Sequence, residues 1–170
     1  MGVINYIFQD KQANIANPTK GKYVVVLFRI SQLIVKRKIT KILFFWYLLF
    51  YRVVVEYFMC VELSWHTAIG PNFAIWHGTG LVIHPETTIG SNCNIRQCTT
   101  VGVKQIGNGL YGNAPKIGNF VDIGCNTVII GDLVIGDYVA IGAGSVVVKP
   151  IESNAVVAGN PAKFIRLLNH

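Results

Sequence analysis

The sequence predicts a parallel β-helix that starts near residue 61 and follows a helical segment. The main observation is an apolar residue at every sixth position, without a break from 117 to 147, and glycine follows many of these residues. A helix would repeat its apolar residues about every 3.6 positions and a meander every second position, so neither fits. We therefore expect each six residues to form one strand and one corner, with three strands to a coil and coils stacked through backbone hydrogen bonds. The apolar positions of this run are Ile117, Ile123, Ile129, Ile135, Ile141 and Val147.

The same period is present earlier in the chain, but it is interrupted twice. Between Ile75 and Ile83 the step is eight residues, and the added residues fall in "HGTGLV". Between Val101 and Ile117 the step is sixteen, across the Gly- and Asn-rich stretch "GVKQIGNGLYGNAP". A rigid coil cannot absorb that excess, so we expect it to bulge out as a loop that reaches a neighbouring subunit. The earlier inward positions are Leu63, Ile69, Ile75, Ile83, Ile89, Ile95 and Val101.

The repeat divides the chain into three expected parts. Residues 1–60 lack the six-residue period and are predicted to be helical. The β-helix is expected at 61–160, with its loop at 102–116. Residues 161–170 are expected to form a C-terminal tail with a short helix.

Two helices are predicted in the first part, at about 23–36 and 39–58. The second contains the apolar stretch 42–61, which Arg52 and Glu56 interrupt four residues apart, a spacing that pairs opposite charges on one helix face. The uninterrupted apolar run is much shorter than the roughly 20 residues that span a bilayer. We therefore interpret this segment as a buried or interfacial helix.

Composition limits the function classes further. The chain has 170 residues, of which 52% are hydrophobic and 14% charged, so it can bury a core. The net charge of +7 includes a cluster of four basic residues at 36–41, which suits an anionic partner or a solvated helix end. No nucleic-acid-binding motif accompanies the charge.

Cysteine usage and the N-terminus bear on the compartment. The four cysteines form no CxxC motif and no metal-ligand spacing, so we interpret them as small packing residues in a reducing compartment. The first ten residues, "MGVINYIFQD", do not have the form of a secretory signal. A cytoplasmic location is therefore expected, and a peripheral contact with the inner face of the membrane is kept as an alternative, because the basic cluster adjoins an apolar helix.

The order of these features resembles the hexapeptide-repeat acyltransferases. The resemblance spans about residues 45–168 and depends on "IG....I.HGTG", on the coil "IGAGSVV" and on the closing "AGNPAK". The nearest branch holds the serine O-acetyltransferases and the polysaccharide O-acetyltransferases of the colanic-acid type. The resemblance implies a left-handed β-helix, a homotrimer with active sites between subunits, and acetyl-CoA as the acetyl donor.

The family's site residues transfer to this chain position by position. The resemblance implies that His77 is the catalytic base and that Glu62, an Asp in serine acetyltransferases, orients it. Trp76 precedes the base where serine acetyltransferases have Asp, and Ala114 stands where they have a second His. For the coenzyme, the resemblance implies the backbone amide of Val103 near the oxyanion and a set of corner and tail residues: Gly124, Cys125, Gly142, Ala143, Lys163 and Arg166.

The two departures favour a sugar over serine as the acceptor. The resemblance implies that Ala114 removes a histidine that helps to hold the amino-acid carboxylate in serine acetyltransferases, while Trp76 adds an aromatic wall that suits a sugar ring. An alcohol needs a base to attack a thioester at neutral pH, and a histidine oriented by a carboxylate supplies one. We therefore predict an acetyl-CoA-dependent O-acetyltransferase that acts on a hydroxyl of a sugar or polysaccharide precursor.

Three alternatives remain at this point. Serine O-acetyltransferase is the first, and a non-catalytic β-helix scaffold is the second. A zinc enzyme on the same helix needs three suitably placed histidines, and the spacing of His66, His77 and His84 does not match. No metal is therefore expected.

Short corners also demand small residues for packing alone, which explains the glycines of the predicted coenzyme site equally well.

Overall fold

The computed structural model describes residues 2–168 and contains a parallel β-helix of five coils preceded by helices. Within that range the helical segment has four α-helices, a 3₁₀ turn at Gln12–Asn14 and a π-helical stretch at Arg52–Phe58. The α-helices are α1 (Val3–Ile7), α2 (Gly21–Val35), α3 (Lys38–Leu43) and α4 (Phe45–Tyr51).

The β-helix is built from short strands that return to the same face once per coil. The first coil comprises β1 (Val61–Leu63), β2 (Ala68–Ile69) and β3 (Ala74–Trp76), and the second β4 (Leu81–Ile83), β5 (Thr88–Ile89) and β6 (Asn94–Arg96). The third comprises β7 (Thr100–Gly102), the hairpin β8 (Gln105–Gly107) and β9 (Leu110–Tyr111), β10 (Lys116–Ile117) and β11 (Asp122–Ile123). The last two comprise β12 (Val128–Ile130), β13 (Val134–Ile135), β14 (Ala140–Ile141), β15 (Val146–Val147) and β16 (Ala155–Ala158), and β17 (Lys163–Leu167) follows them.

Three parallel sheets form the faces of the prism. The first sheet has the order β1-β4-β7-β12-β15, the second β13-β10-β5-β2, and the third β17-β16-β14-β11-β6-β3. All thirteen predicted inward positions are at most 9% exposed, because their side chains fill the centre of the prism. The six-residue period therefore predicted the core correctly.

The pairing register locates both interruptions. Leu63 pairs with Ile83, twenty residues on, whereas Ile83 pairs with Val101, eighteen residues on. The first coil is thus two residues longer than the second, and the surplus lies in the corner between β3 and β4. The larger surplus forms the β8–β9 hairpin, whose residues are all exposed. The surplus thus forms a hairpin within the predicted loop 102–116, and its contact with a neighbouring subunit stays a prediction.

A buried ion pair attaches the helical segment to the first coil. Arg29 on α2 donates from Nε to Asp10 Oδ2 at 2.7 Å, and both side chains are almost fully buried. Arg29 also donates to the carbonyl oxygens of Ile69 at 2.8 Å and Gly70 at 2.6 Å, while Asp10 accepts from Phe73 N at 2.9 Å. Because every charged atom has partners, the network holds the helices on the coil rather than leaving a buried charge unpaired.

Two predictions for the segments outside the repeat need correction. The helix expected at 39–58 is divided at Phe44 into α3 and α4 and ends in π-helical geometry. The prediction of a short C-terminal helix is wrong, because the tail forms β17, which pairs antiparallel with β16. The last parallel strand has an open edge, and the tail satisfies its backbone groups as a strand, which a helix cannot do. Residues 169–170 of the predicted tail lie outside the described residues.

Candidate active site

The predicted base lies on one edge of the prism, where each coil turns from the third sheet to the first. We call this edge, formed by the corners 77–80, 97–98, 124–127 and 142–145, the His77 edge. Each corner contains one or more residues with positive φ, including His77 at +64°, Cys98 at +56°, Asn126 at +54° and Gly144 at +70°. Backbone hydrogen bonds connect successive corners: Cys98 N to Thr79 O at 2.9 Å, Asn126 N to Gln97 O at 3.1 Å and Gly144 N to Cys125 O at 2.8 Å.

The corner that carries His77 differs from the others in length. It holds the two surplus residues of the first coil, and Gly78 and Gly80 adopt φ values of +86° and +71°. A side chain at either glycine would be strained in that conformation. His77 is exposed, while the Trp76 that precedes it is half-buried at the end of β3. The first interruption of the six-residue period thus coincides with an exposed imidazole.

Side chains from the helical segment cover the open edge of β3. β3 is the outermost strand of the third sheet, so alternate backbone groups have no strand partner on that side. Two asparagines and a threonine take the place of the missing strand. The bonds are Asn14 Nδ2 to Phe73 O at 2.9 Å, Asn17 Nδ2 to Ile75 O at 2.9 Å and His77 N to Thr19 Oγ1 at 3.0 Å.

The cover is itself held in place by hydrogen bonds. Thr19 donates from Oγ1 to Asn17 Oδ1 at 2.6 Å, and the Thr19 amide donates to the same oxygen at 2.9 Å. Asn17 is 1% exposed and also donates to Asn14 Oδ1 at 3.0 Å. The backbone at His77 is therefore fixed by a chain of polar side chains that the sequence did not reveal.

Glu62 lies in the middle of β1, with an exposed side chain on the outward face of the first sheet. Among residues 2–168, its carboxylate forms neither a hydrogen bond nor an ion pair with the His77 imidazole. The orienting contact expected from the resemblance is thus not made in the isolated chain, and the paired role of these two residues stays a prediction.

Glu62 instead contributes to a surface pocket of about 480 Å³ beside the π-helical stretch. Arg52 and Glu56 line it and form an ion pair at 3.2 Å, as their spacing predicted. Trp65 lines it too, and its indole N–H has no hydrogen-bond partner among the described residues. The remaining lining residues are Tyr57, Leu63, Ser64, Ile83 and Pro85.

Tyr51 connects α4 to the strand that carries Glu62. Its hydroxyl donates to Leu63 O at 2.7 Å, and its ring packs against Trp65 at 5.9 Å between centroids. Burial raises the pKa of Tyr51 well above its usual value, and the nearby negative charge of Glu56 raises it further. The phenol therefore stays protonated and remains a donor at any pH where the protein works.

The predicted coenzyme residues fall into two groups. Gly124, Cys125, Gly142 and Ala143 lie on the His77 edge, two and three coils from the base. A Cβ at Gly124 would lie 2.5 Å from Ala143 N, and one at Gly142 would lie 2.7 Å from Ala158 Cβ. Coil stacking alone therefore requires both glycines, as the packing alternative anticipated.

The other predicted site residues lie away from that edge. Val103 follows β7, and Ala114 is buried near the end of the long loop, with 5% of its surface exposed. Lys163 and Arg166 are exposed on β17. His66 and His84 occupy corners between the first and second sheets. Within residues 2–168, no three His, Cys, Asp or Glu side chains are grouped to hold a metal ion.

A parallel β-helix with an exposed histidine at an enlarged corner suits an acyl-transfer protein, and similar proteins identify the family. The colanic acid biosynthesis acetyltransferase WcaB of Escherichia coli is 35% identical over 116 residues, which cover 68% of this chain and 70% of that protein. The chain belongs to the hexapeptide-repeat acetyltransferases. No family model matches it.

Serine acetyltransferases are similar in both sequence and structure. That of Mycobacterium tuberculosis is 36% identical over 107 residues, 62% of this chain and 45% of its own length. The crystal structure of the Neisseria gonorrhoeae enzyme has a TM-score of 0.79 at 25% identity, covering 99% of this chain and 66% of that chain. A serine acetyltransferase in complex with CoA has a TM-score of 0.76 at 26% identity, covering 96% of this chain and 69% of that chain. These matches confirm the left-handed β-helix and the acetyltransferase assignment.

Proposed function

We propose that this acetyltransferase transfers the acetyl group of acetyl-CoA to a hydroxyl of a sugar or polysaccharide precursor, with His77 as the general base. The observation that carries the proposal is the enlarged corner, which presents an exposed imidazole on the same edge as the small-residue corners of the later coils. Acetyl-CoA supplies an acyl thioester, and the residues of this chain supply the base and the positioning.

His77 takes the proton of the acceptor hydroxyl while the hydroxyl oxygen forms a bond to the thioester carbon. The carbon–sulfur bond then breaks, and the imidazolium returns the proton to the departing thiolate, so the products are an ester and a free thiol. Backbone amides such as that of Val103 are candidates to stabilise the oxyanion charge. Glu62 stabilises the imidazolium if substrate binding or subunit assembly brings the two side chains together.

The acceptor is proposed to bind near Glu62 and Trp76. The pocket beside Glu62 combines the carboxylates of Glu56 and Glu62 with the ring of Trp65, a combination that suits a hydroxyl-rich ring. Trp76→Ala is expected to raise the KM for the acceptor more than that for acetyl-CoA.

A homotrimer is proposed, with the first sheet facing its neighbours. The outward positions of this sheet form a column of mostly β-branched side chains next to the His77 edge, a flat surface suited to packing. The column runs Glu62, Val82, Thr100, Val128 and Val146. Light scattering at micromolar concentration should give three times the chain mass, and a monomer would contradict a shared site. The cytoplasmic location stays a prediction.

Serine is the second candidate acceptor, because the similar solved structures are serine acetyltransferases. Incubation with labelled acetyl-CoA and either serine or a panel of glycans distinguishes the two. Ester formation on a glycan hydroxyl, with no O-acetylserine, is the expected result. O-acetylserine alone would overturn the sugar assignment but keep the mechanism. Absence of acetyl-CoA binding in calorimetry would support a non-catalytic scaffold instead.

A further inference from the structure

The helices α3 and α4 expose an apolar surface that no other part of the described chain covers. Not one residue of α3 is buried, and α4 buries only Leu48 and Tyr51. The exposed fractions are high for large side chains, from 46% for Phe50 to 72% for Ile39. We call this surface the α3–α4 face, and its apolar members are Ile39, Ile42, Leu43, Phe45, Trp46, Leu49 and Phe50.

The positive charge of the protein is concentrated in the same segment. Residues 1–56 hold nine of the fifteen Lys and Arg residues and only two of the eight acids, which accounts for the whole net charge of +7. No Asp or Glu occurs from residue 11 to 55. The remainder of the chain holds six basic and six acidic residues and is neutral. The exposed basic residues beside the α3–α4 face are Lys36, Arg37, Lys38 and Lys41.

One side of α3 faces the protein, and its other sides are exposed. Thr40 faces α2, since its hydroxyl donates to Ile34 O at 2.7 Å. On a helix, Lys38, Lys41, Ile39 and Ile42 then lie on the sides that remain exposed, with the lysines beside the isoleucines. A short helix of this kind, with apolar side chains between cations, suits the boundary between lipid headgroups and acyl chains.

We propose that the α3–α4 face binds the surface of an anionic lipid bilayer. A second copy of the chain is disfavoured as the occupant, because each copy brings a segment of +7 and like charges repel. An anionic membrane offers the opposite charge for the lysines and an apolar layer for the aromatic and aliphatic side chains. No helix among the described residues is long and apolar enough to cross a membrane, so the contact lies at the surface. This inference goes beyond the proposed function, because it concerns where the enzyme works.

Flotation with vesicles tests the proposal directly. The wild-type protein should float with vesicles that contain phosphatidylglycerol, stay unbound with pure phosphatidylcholine, and be released by salt. Lys36→Gln, Lys38→Gln and Lys41→Gln together should weaken binding about 100-fold, since each cation near such a surface contributes a factor of about five. The matched control replaces three exposed lysines of the β-helix, Lys104, Lys116 and Lys149, by Gln and should bind like the wild type.

A second pair of variants tests the apolar component. Ile42→Ser, Phe45→Ser and Trp46→Ser together should abolish flotation at moderate salt, whereas Ile106→Ser, Leu110→Ser and Tyr111→Ser in the exposed hairpin should not. Failure of the wild type to float with anionic vesicles at low salt would overturn the proposal. Equal loss in the lysine control would also overturn it. If the Ile42, Phe45 and Trp46 variant changes the oligomeric mass but floats normally, the face is a protein interface instead.

Discussion

Two corners on the same edge of the prism differ in length and in how closely they pack. The corner after β11 is regular, and its Gly124 packs so tightly on the next coil that a Cβ would lie 2.5 Å from Ala143 N. The corner after β3 is two residues longer. A Cβ at its Gly78 would lie 3.1 Å from Ile75 Cγ2 and 3.3 Å from Val61 Cγ2. The regular corner cannot carry a large side chain at its tightest point, whereas the longer corner exposes an imidazole. On this edge, the added length of the first corner therefore coincides with the exposed histidine.

The first coil also differs in what lies beyond it. The middle coils are flanked on both sides by other coils, but β3 has an open edge, and Asn14, Asn17 and Thr19 cover it. The backbone at His77 is therefore positioned by side chains from the helical segment, not by the repeat. The comparison predicts that substitutions at the long corner affect catalysis, while those at the regular corner affect stability.

The largest effect is expected for His77→Ala. Removing the base should lower kcat by about 10² to 10⁴, because the acceptor hydroxyl is then deprotonated only by solvent. Oligomeric mass and CoA affinity should be unchanged, since His77 is exposed and packs little. Steady-state kinetics with His84→Ala as the matched control measures this. A His77→Ala enzyme with wild-type turnover on its acceptor would remove the basis of the proposed mechanism.

Gly124→Ala should destabilise the regular corner without a direct effect on the base. Overpacking of this kind costs about 1–3 kcal/mol of unfolding free energy, which lowers the Tm of a chain of this size by roughly 2–10 °C. Gly102→Ala is the control, because its Cβ would meet only the flexible end of Ile130 at 3.3 Å. Thermal unfolding of both variants decides the point. Equal Tm values would show that the corner relaxes around the added methyl group, which would contradict the expected loss of stability at the regular corner.

Glu62→Gln is expected to lower kcat by less than the loss of the base itself, because the base is kept and only its orientation and charge stabilisation are lost. The amide keeps the size of the side chain but no longer stabilises a charged imidazole. Glu62 is not among the residues expected to bind the coenzyme, so the KM for acetyl-CoA should hardly change. The double variant Glu62→Gln, His77→Ala should be no slower than His77→Ala alone. Additive losses would mean that Glu62 acts in the acceptor pocket and not through His77.

The regular part of this fold was predictable because its cause is local. Each inward residue occupies its position through the six-residue spacing, so Ile117 and Ile141 were placed correctly without any tertiary contact. The enlarged corner and the long loop were visible as breaks in the same spacing. Their residues could be named from the sequence, including His77, because a break in a strict repeat has to appear at a definite position.

The parts that were missed depend on contacts between distant segments. The tail at Lys163–Leu167 looked helical, but the open edge of β16 makes it a strand. The sequence does not show that Arg29 is buried or that it pairs with Asp10, nineteen residues earlier. Only the structure shows that Asn17 and Thr19 take the place of a strand beside β3. No period or motif marks such partners.

The smallest effect is expected at Thr19, whose hydroxyl oxygen accepts the hydrogen bond from the His77 amide at 3.0 Å. Thr19→Val keeps the shape of the side chain but removes this acceptor, so we expect kcat to fall about threefold to tenfold, the worth of one neutral hydrogen bond of about 1 kcal/mol. The KM for both substrates should stay constant, because the change moves the base and not a binding contact. Thr19→Ser should restore kcat, since it restores the oxygen. In the His77→Ala background, Thr19→Val should have no further effect on turnover, although it should lower Tm in both backgrounds. If Thr19→Val lowers Tm but leaves kcat unchanged in the enzyme that retains His77, the cover on β3 serves stability alone, and the long corner positions its histidine without help.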